Sequence, residues 1–117
     1  MLIRIDPASG DALFDQLAAA VRAEIGRGAL RPGDRLPAAR ELAASLDVNI
    51  HTVLRAYQNL RDEGLVDLRR GRGAVVTDAA TSGAALLESV RSLVADARRD
   101  GVGPQTLITL IREEYPA

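Results

Sequence analysis

Between Arg40 and Leu60 two runs of helix-spaced apolar residues stand only a few residues apart, and that spacing leaves the chain few ways to fold. The first run carries Leu42, Ala43 and Leu46 and stops near Asp47. The second carries Val53, Ala56, Tyr57 and Leu60 and stops at Gly64. Each repeats at three- and four-residue intervals, so each presents one apolar stripe of an α-helix. Val48-Asn49 leaves room only for a short turn, with Asn49 placed to cap the second of the two helices. Pro37 fits the first position of the earlier one. Two short helices joined by such a turn make a helix-turn-helix.

The flanking segments extend this unit. Residues 1–10 read as an extended lead-in, with Ile3 and Ile5 alternating and with Pro7 and Gly10 opposing a helix. Asp11 is placed to cap a helix of about four turns in which Leu13, Leu17, Val21 and Ile25 share a face with Phe14 and Ala18 beside them. Gly26 and Gly28 end that helix, and Pro32-Gly33 signals a turn. Beyond Gly64, the stretches Leu65–Arg70 and Ala74–Thr77 alternate apolar and polar around Gly71-Arg72-Gly73, which predicts a β-hairpin with an arginine at its tip. A helix-turn-helix followed at once by such a hairpin is a winged helix. The fold class expected is therefore mainly α with a small β-hairpin: a winged helix-turn-helix domain over residues 1–77, then a helical tail over 78–117.

In the tail, residues 78–83 read as a small polar linker. Leu86, Leu87, Val90, Leu93, Val94 and Ala97 form a broad stripe, and Leu87, Val90, Val94 and Ala97 fall at heptad a/d spacing. Gly101 and Gly103 interrupt it, and Pro104 opens a last helix containing Leu107, Ile108, Leu110, Ile111 and Tyr115. This stripe is more apolar surface than a short tail buries on itself. It predicts self-association through Leu86, Leu87, Val90, Leu93, Val94, Ala97, Leu107, Ile108 and Ile111, with folding back onto the winged domain as the alternative.

Composition narrows the function. With 117 residues the chain suits one reader domain plus an appendage. Hydrophobic residues make up 47% and charged residues 26%, the balance of a folded protein. Aromatics are only 3%, so the core must be aliphatic. There is no cysteine, which removes disulfides and thiolate metal sites, and a lone His51 is not a metal site. No signal peptide opens the sequence, and no apolar run reaches the roughly 18–20 residues that span a bilayer, so a cytoplasmic location without a membrane partner is expected. Net charge is −1, unlike many nucleic-acid binders, yet all 15 basic residues are arginine, whose planar fork suits phosphate and guanine edges.

The stretch from Leu13 to Val76 resembles the GntR family of bacterial regulators. The residues that carry the likeness are Gly28-Ala29-Leu30-Arg31-Pro32-Gly33-Asp34-Arg35-Leu36-Pro37, Arg40-Glu41-Leu42-Ala43, Val48-Asn49, Thr52-Val53-Leu54-Arg55-Ala56-Tyr57, Gly64-Leu65-Val66 and Gly71-Arg72-Gly73. The brief two-helix tail resembles the YtrA-type subgroup, whose members are dimeric repressors, often of neighbouring transporter operons. The segment around Tyr57 also resembles the reader of MocR-type regulators, which add a large domain that binds pyridoxal phosphate; 117 residues leave no room for one, and no cofactor is expected. The resemblance implies DNA contacts at Arg40, Asn49, Ile50, His51, Thr52, Arg55 and Gly71 to Gly73. Many relatives carry arginine at the position of Leu54, whereas here it stands one step later, at Arg55.

Residue chemistry agrees with that map. A helix N-terminus offers unpaired N–H groups and a positive dipole to phosphate. Arg40 and Arg55 suit phosphate or guanine, and the duller reading makes them solvated charges. Arg72 between two glycines suits a narrow minor groove. Arg69 and Arg70 suit phosphate, with pairing of one of them to Asp67 as the alternative. Tyr57 reads as core. No serine has a His–acid pair that the sequence points to, so no enzyme is expected. The function expected is a sequence-specific DNA-binding regulator, a homodimer on a palindromic double-stranded operator with half-sites about one helical turn apart or a multiple of it. Two other readings stand beside it. The acidic balance and the missing arginine at Leu54 fit a winged helix that binds protein and never touches DNA. A small-molecule effector between the tail helices is the third, although the tail shows no convergent polar pocket.

Overall fold

The computed structural model describes residues 3–71, 73–78 and 84–115. Its elements run α1 (Leu13–Gly26), α2 (Ala39–Leu46), α3 (Ile50–Asp62), β1 (Val66–Arg69), β2 (Gly73–Val76), α4 (Ala84–Arg99) and α5 (Pro104–Glu114). This is the order expected from periodicity: three helices, a hairpin, two helices. Contacts divide the chain into two compact units, Met1–Ala84 and Ala85–Ala117. Arg72 and most of the expected linker, residues 79–83, lie outside the described residues.

In the first unit α3 is the centre. Its stripe of Val53, Ala56, Tyr57 and Leu60 is buried, and both α1 and α2 pack against it. α1 contributes Leu17, Ala18, Val21 and Ile25, and α2 contributes Leu42 and Ala43. Val66, Ala74 and Val76 close the core from the hairpin. Ile3, Ile5 and Phe14 pack against its edge, which is how the extended lead-in is held. Because the core is aliphatic and the described residues bury no charged or unpartnered polar side chain, its stability comes from area removed from water.

β1 and β2 pair antiparallel, with Val66 opposite Val76 and Arg69 opposite Gly73. The segment after the Pro32-Gly33 turn supplies a third edge. Arg35 bridges Val75, through Leu36 N–H donating to the Ala74 carbonyl at 2.9 Å and Val76 N–H donating to the Asp34 carbonyl at 2.8 Å. β2 is thereby paired on both sides. The Arg31-Pro32-Gly33-Asp34 turn delivers this segment: Asp34 N–H donates to the Arg31 carbonyl, Asp34 Oδ2 accepts from the Arg31 N–H, and Gly33 sits at φ 90°. Proline then glycine is what such a turn requires.

Helix ends correct several details. α1 starts after Ala12, with no side-chain cap, so Asp11 is not its cap. Gln16 does the organising instead: its Nε2 donates to the Asp6 and Asp11 carbonyls and its Oε1 accepts from the Asp6 N–H at 2.7 Å. Pro37 lies outside α2, because Ala38 is still extended (φ −57°, ψ 140°) and the helix begins at Ala39. Asn49 does cap α3, accepting from the His51 N–H at 2.8 Å. At its C-terminus α3 closes with Leu65 N–H donating to the Leu60 carbonyl around Gly64 at φ 80°. α2 closes the same way, with Val48 N–H donating to the Ala43 carbonyl, but around Asp47 at φ 56°.

In the second unit Pro104 opens α5, as proline at a helix start should. Tyr115 is extended and terminates α5 rather than belonging to it. Among the described residues of this unit Ala97 is the buried one, 8% exposed, and its carbonyl accepts from the Val102 N–H at the turn into α5. Leu86, Val90, Leu93, Val94, Ile108, Leu110 and Ile111 are 40–64% exposed, whereas Leu87, Val102 and Leu107 are half-buried.

Candidate nucleic-acid interface

Opposite the buried stripe of α3, His51, Leu54, Arg55 and Gln58 recur at three- and four-residue spacing and are all exposed. This crest is what the helix offers to a partner. Gln58 was absent from the candidates read in the sequence; its position seven residues after His51, two turns along the same face, is the signal that finds it. Thr52 is half-buried on the flank. Ile50 is half-buried beside it. It packs against the edge of the core, three residues before the fully buried Val53.

The N-terminus of α3 is open to a ligand in part only. The Asn49 side-chain oxygen is spent on the cap, which leaves its amide nitrogen for an outside acceptor. His51 is exposed in the first turn. The positive end of the helix dipole adds to the attraction for an anion.

The arginines divide into held and free. The Arg55 guanidinium lies 3.8 Å from the centre of the Phe14 ring, a cation–π contact that draws it toward the start of α1. Its flat face is taken while its N–H edges stay available, the geometry of a phosphate contact. Arg69 approaches Asp67 at 3.4 Å with both side chains about half exposed, which realises the alternative read for it and leaves a weak pair. Arg40, the second residue of α2, and Arg70 are exposed and have no ion-pair partner among the described residues. Gly71 and Gly73 flank the hairpin tip at φ 79° and 70°, where a side chain is strained.

These elements meet at one groove of about 300 Å³. It is lined by Ala38 and Ala39 at the start of α2, Leu54 and Tyr57 of α3, and Leu68, Arg69, Arg70, Gly73 and Ala74 of the hairpin. Tyr57 positions the α2 side of it. Its ring is buried and its hydroxyl donates to the Pro37 carbonyl at 2.6 Å. Burial pushes the phenol up to about 12, so it is a neutral donor at any ordinary pH. Farther back, Arg22 grips Glu63 with two N–H···O contacts of 2.9 and 2.8 Å, tying α1 to the end of α3. That hydrogen-bonded carboxylate raises the Arg22 pKa. Among the described residues no group of acidic, histidine or cysteine side chains suits a metal, and no helix is long and apolar enough to cross a membrane.

Comparison with known proteins agrees with this geometry. Residues 13–76 match the profile of bacterial regulatory proteins of the gntR family. The chain is 32% identical to the HTH-type transcriptional repressor YtrA of Bacillus subtilis (strain 168), over 96% of its own length and 91% of that protein's. Its fold is similar to that of YtrA from Sulfolobus acidocaldarius, a GntR-family transcription factor, with a TM-score of 0.61 and 34% identity over 85% of this chain and 99% of that one. It is also similar to the AraR DNA-binding domain solved in complex with operator ORX1, with a TM-score of 0.57 and 25% identity over 64% of this chain and 93% of that one. With the family profile covering more than half of the chain and two YtrA proteins matching along most of it, this protein belongs to the gntR family of bacterial regulatory proteins, in its YtrA-type subgroup.

Proposed function

We propose that the chain is a sequence-specific DNA-binding transcription regulator, acting in the cytoplasm as a homodimeric repressor of an operon near its own gene, with transporter genes the first to examine. The observation that carries this reading is the groove at which the start of α2, Leu54 from the exposed crest of α3 and the arginine-bearing hairpin converge. In a winged helix that is where the recognition helix and the wing address DNA together. Arg40, Arg70 and the N–H edges of Arg55 take phosphate, as does Arg69 once it leaves Asp67. His51, Thr52 and Gln58 face base edges, with the Asn49 amide beside them. Gly71 and Gly73 let the wing backbone, with Arg72, approach the minor groove. The relative solved with its operator supports the same assignment.

Residues 1–77 are the reader in this proposal and 78–117 the dimerisation tail. The exposed apolar faces of α4 and α5 supply the dimer surface, with Leu110 added to the residues read from sequence. A two-fold dimer places half-sites about 34 Å apart, or a multiple of that, on a palindrome. The protein carries out no reaction and needs no cofactor. In this scheme a small-molecule effector binds at the largely apolar hollow of about 310 Å³ at the α4–α5 turn, lined by Val94, Ala97, Val102 and Leu107 with Arg98 beside them.

Mobility-shift titration of promoter DNA from its own operon, against random duplex at several salt concentrations, tests this reading. Selective binding that weakens steeply with salt is expected, and Arg40→Ala should weaken it and flatten the salt slope by about one unit. Equal, weak binding to promoter and random DNA would overturn it.

A further inference from the structure

In the middle of an otherwise polar crest stands an apolar side chain. Leu54 is 37% exposed, between His51 and Gln58 along the same face of α3, and it lines the groove together with Leu68, which is 38% exposed. Leu68 is there for a structural reason. It lies two residues after Val66 on the same face of β1, so the row that Val66 starts in the core continues outward past the core's edge. Ala38, Ala39, Ala74 and the Tyr57 ring form the rest of an almost wholly apolar lining, and Arg69 and Arg70 flank it. Apolar lining beside Arg70, which has no ion-pair partner among the described residues, and the weakly paired Arg69 matches one feature of duplex DNA. The phosphates answer the arginines, and in the major groove one group on the base edges is apolar: the C5-methyl of thymine.

We propose that Leu54, backed by Leu68, reads a thymine methyl in the major groove and so determines sequence preference at one position of each half-site. The inference rests on the DNA-binding reading above and deepens it. It also gives the crest a division of labour. His51 and Gln58 hydrogen-bond to base edges on either side, Arg55 is drawn back toward Phe14 and holds the backbone, and Leu54 sits between them as the apolar reader. A cytosine at the same place presents its N4 amino donor near an aliphatic surface that cannot accept from it, so the preference is for thymine over cytosine as well as for methyl over hydrogen.

Replacing thymine by deoxyuridine removes that methyl and nothing else. The full-length protein is titrated against its selected operator duplex and against duplexes in which each thymine in turn is deoxyuridine. Binding should weaken about fourfold at one thymine per half-site, the value of one methyl withdrawn from water. Leu54→Ala should bind the thymine and deoxyuridine duplexes equally at that position, and Leu54→Met, which keeps the apolar reach, should still distinguish them. Circular dichroism of both variants should match the parent, since the side chain is partly exposed. If every deoxyuridine duplex binds like the parent while random DNA still binds worse, the thymine assignment is wrong and the DNA-binding reading stands. Discrimination that survives in Leu54→Ala overturns it too. Absence of any selected duplex overturns both.

Discussion

The Tyr57 hydroxyl donates to the Pro37 carbonyl across 2.6 Å, joining the middle of α3 to the residue just before the chain turns into α2. The two are twenty positions apart in sequence. Ala38 and Ala39, beside Pro37, form one wall of the groove, and Arg40 follows at once. That bond, together with the packing of Leu42 and Ala43 in the core, holds the start of α2, and so Arg40, against the recognition helix.

Tyr57→Phe should keep the ring in the core and lose only that bond, at a cost of about 1 kcal/mol by denaturant unfolding. The pH dependence has a definite sign. Burial raises the Tyr57 pKa from 10.0 to about 12, so the folded state favours the protonated phenol. Its contribution is complete below pH 10 and is lost as pH rises from there through about 12. Unfolding measured between pH 8 and 11.5 should show stability falling above pH 10 in the parent, with a shallower fall in Tyr57→Phe; equal slopes would refute the account.

α2 closes around an aspartate in the left-handed region, where α3 uses Gly64. A Cβ is strained there, and a negative charge at a helix C-terminus opposes the dipole. Asp47→Gly should stabilise the protein by about 1 kcal/mol net of glycine's extra chain entropy, visible as a raised thermal midpoint. A lower midpoint would mean that the Asp47 side chain does something in the turn that its geometry does not show.

For the tail, Leu93→Asp places a charge among residues 40–64% exposed, so it should leave the winged unit folded. Sedimentation should show the parent as a dimer and the variant as a monomer at micromolar concentration. DNA affinity should drop at least tenfold, because each reader then binds its half-site alone. A parent that sediments as a monomer would move these apolar faces to another role.

Local pattern was enough for the helices, the turn between α2 and α3, and the hairpin. Val53, Ala56, Tyr57 and Leu60 recur at helical spacing whatever surrounds them, and Asn49 caps with an atom two residues from its partner. A handful of amino-acid types at short separations suffices for such elements. What tertiary structure decided are contacts between residues far apart in the chain. Nothing near Arg35 announces that it bridges Val75, since two prolines and a turn hide any alternation. Nothing near Arg55 says that Phe14 will hold its guanidinium, and nothing near Leu54 says that Leu68 will stand beside it. Periodicity tells which face of a helix is buried; only packing three elements around α3 determines which exposed side chains share a groove, and that sharing is what makes a surface able to recognise a ligand.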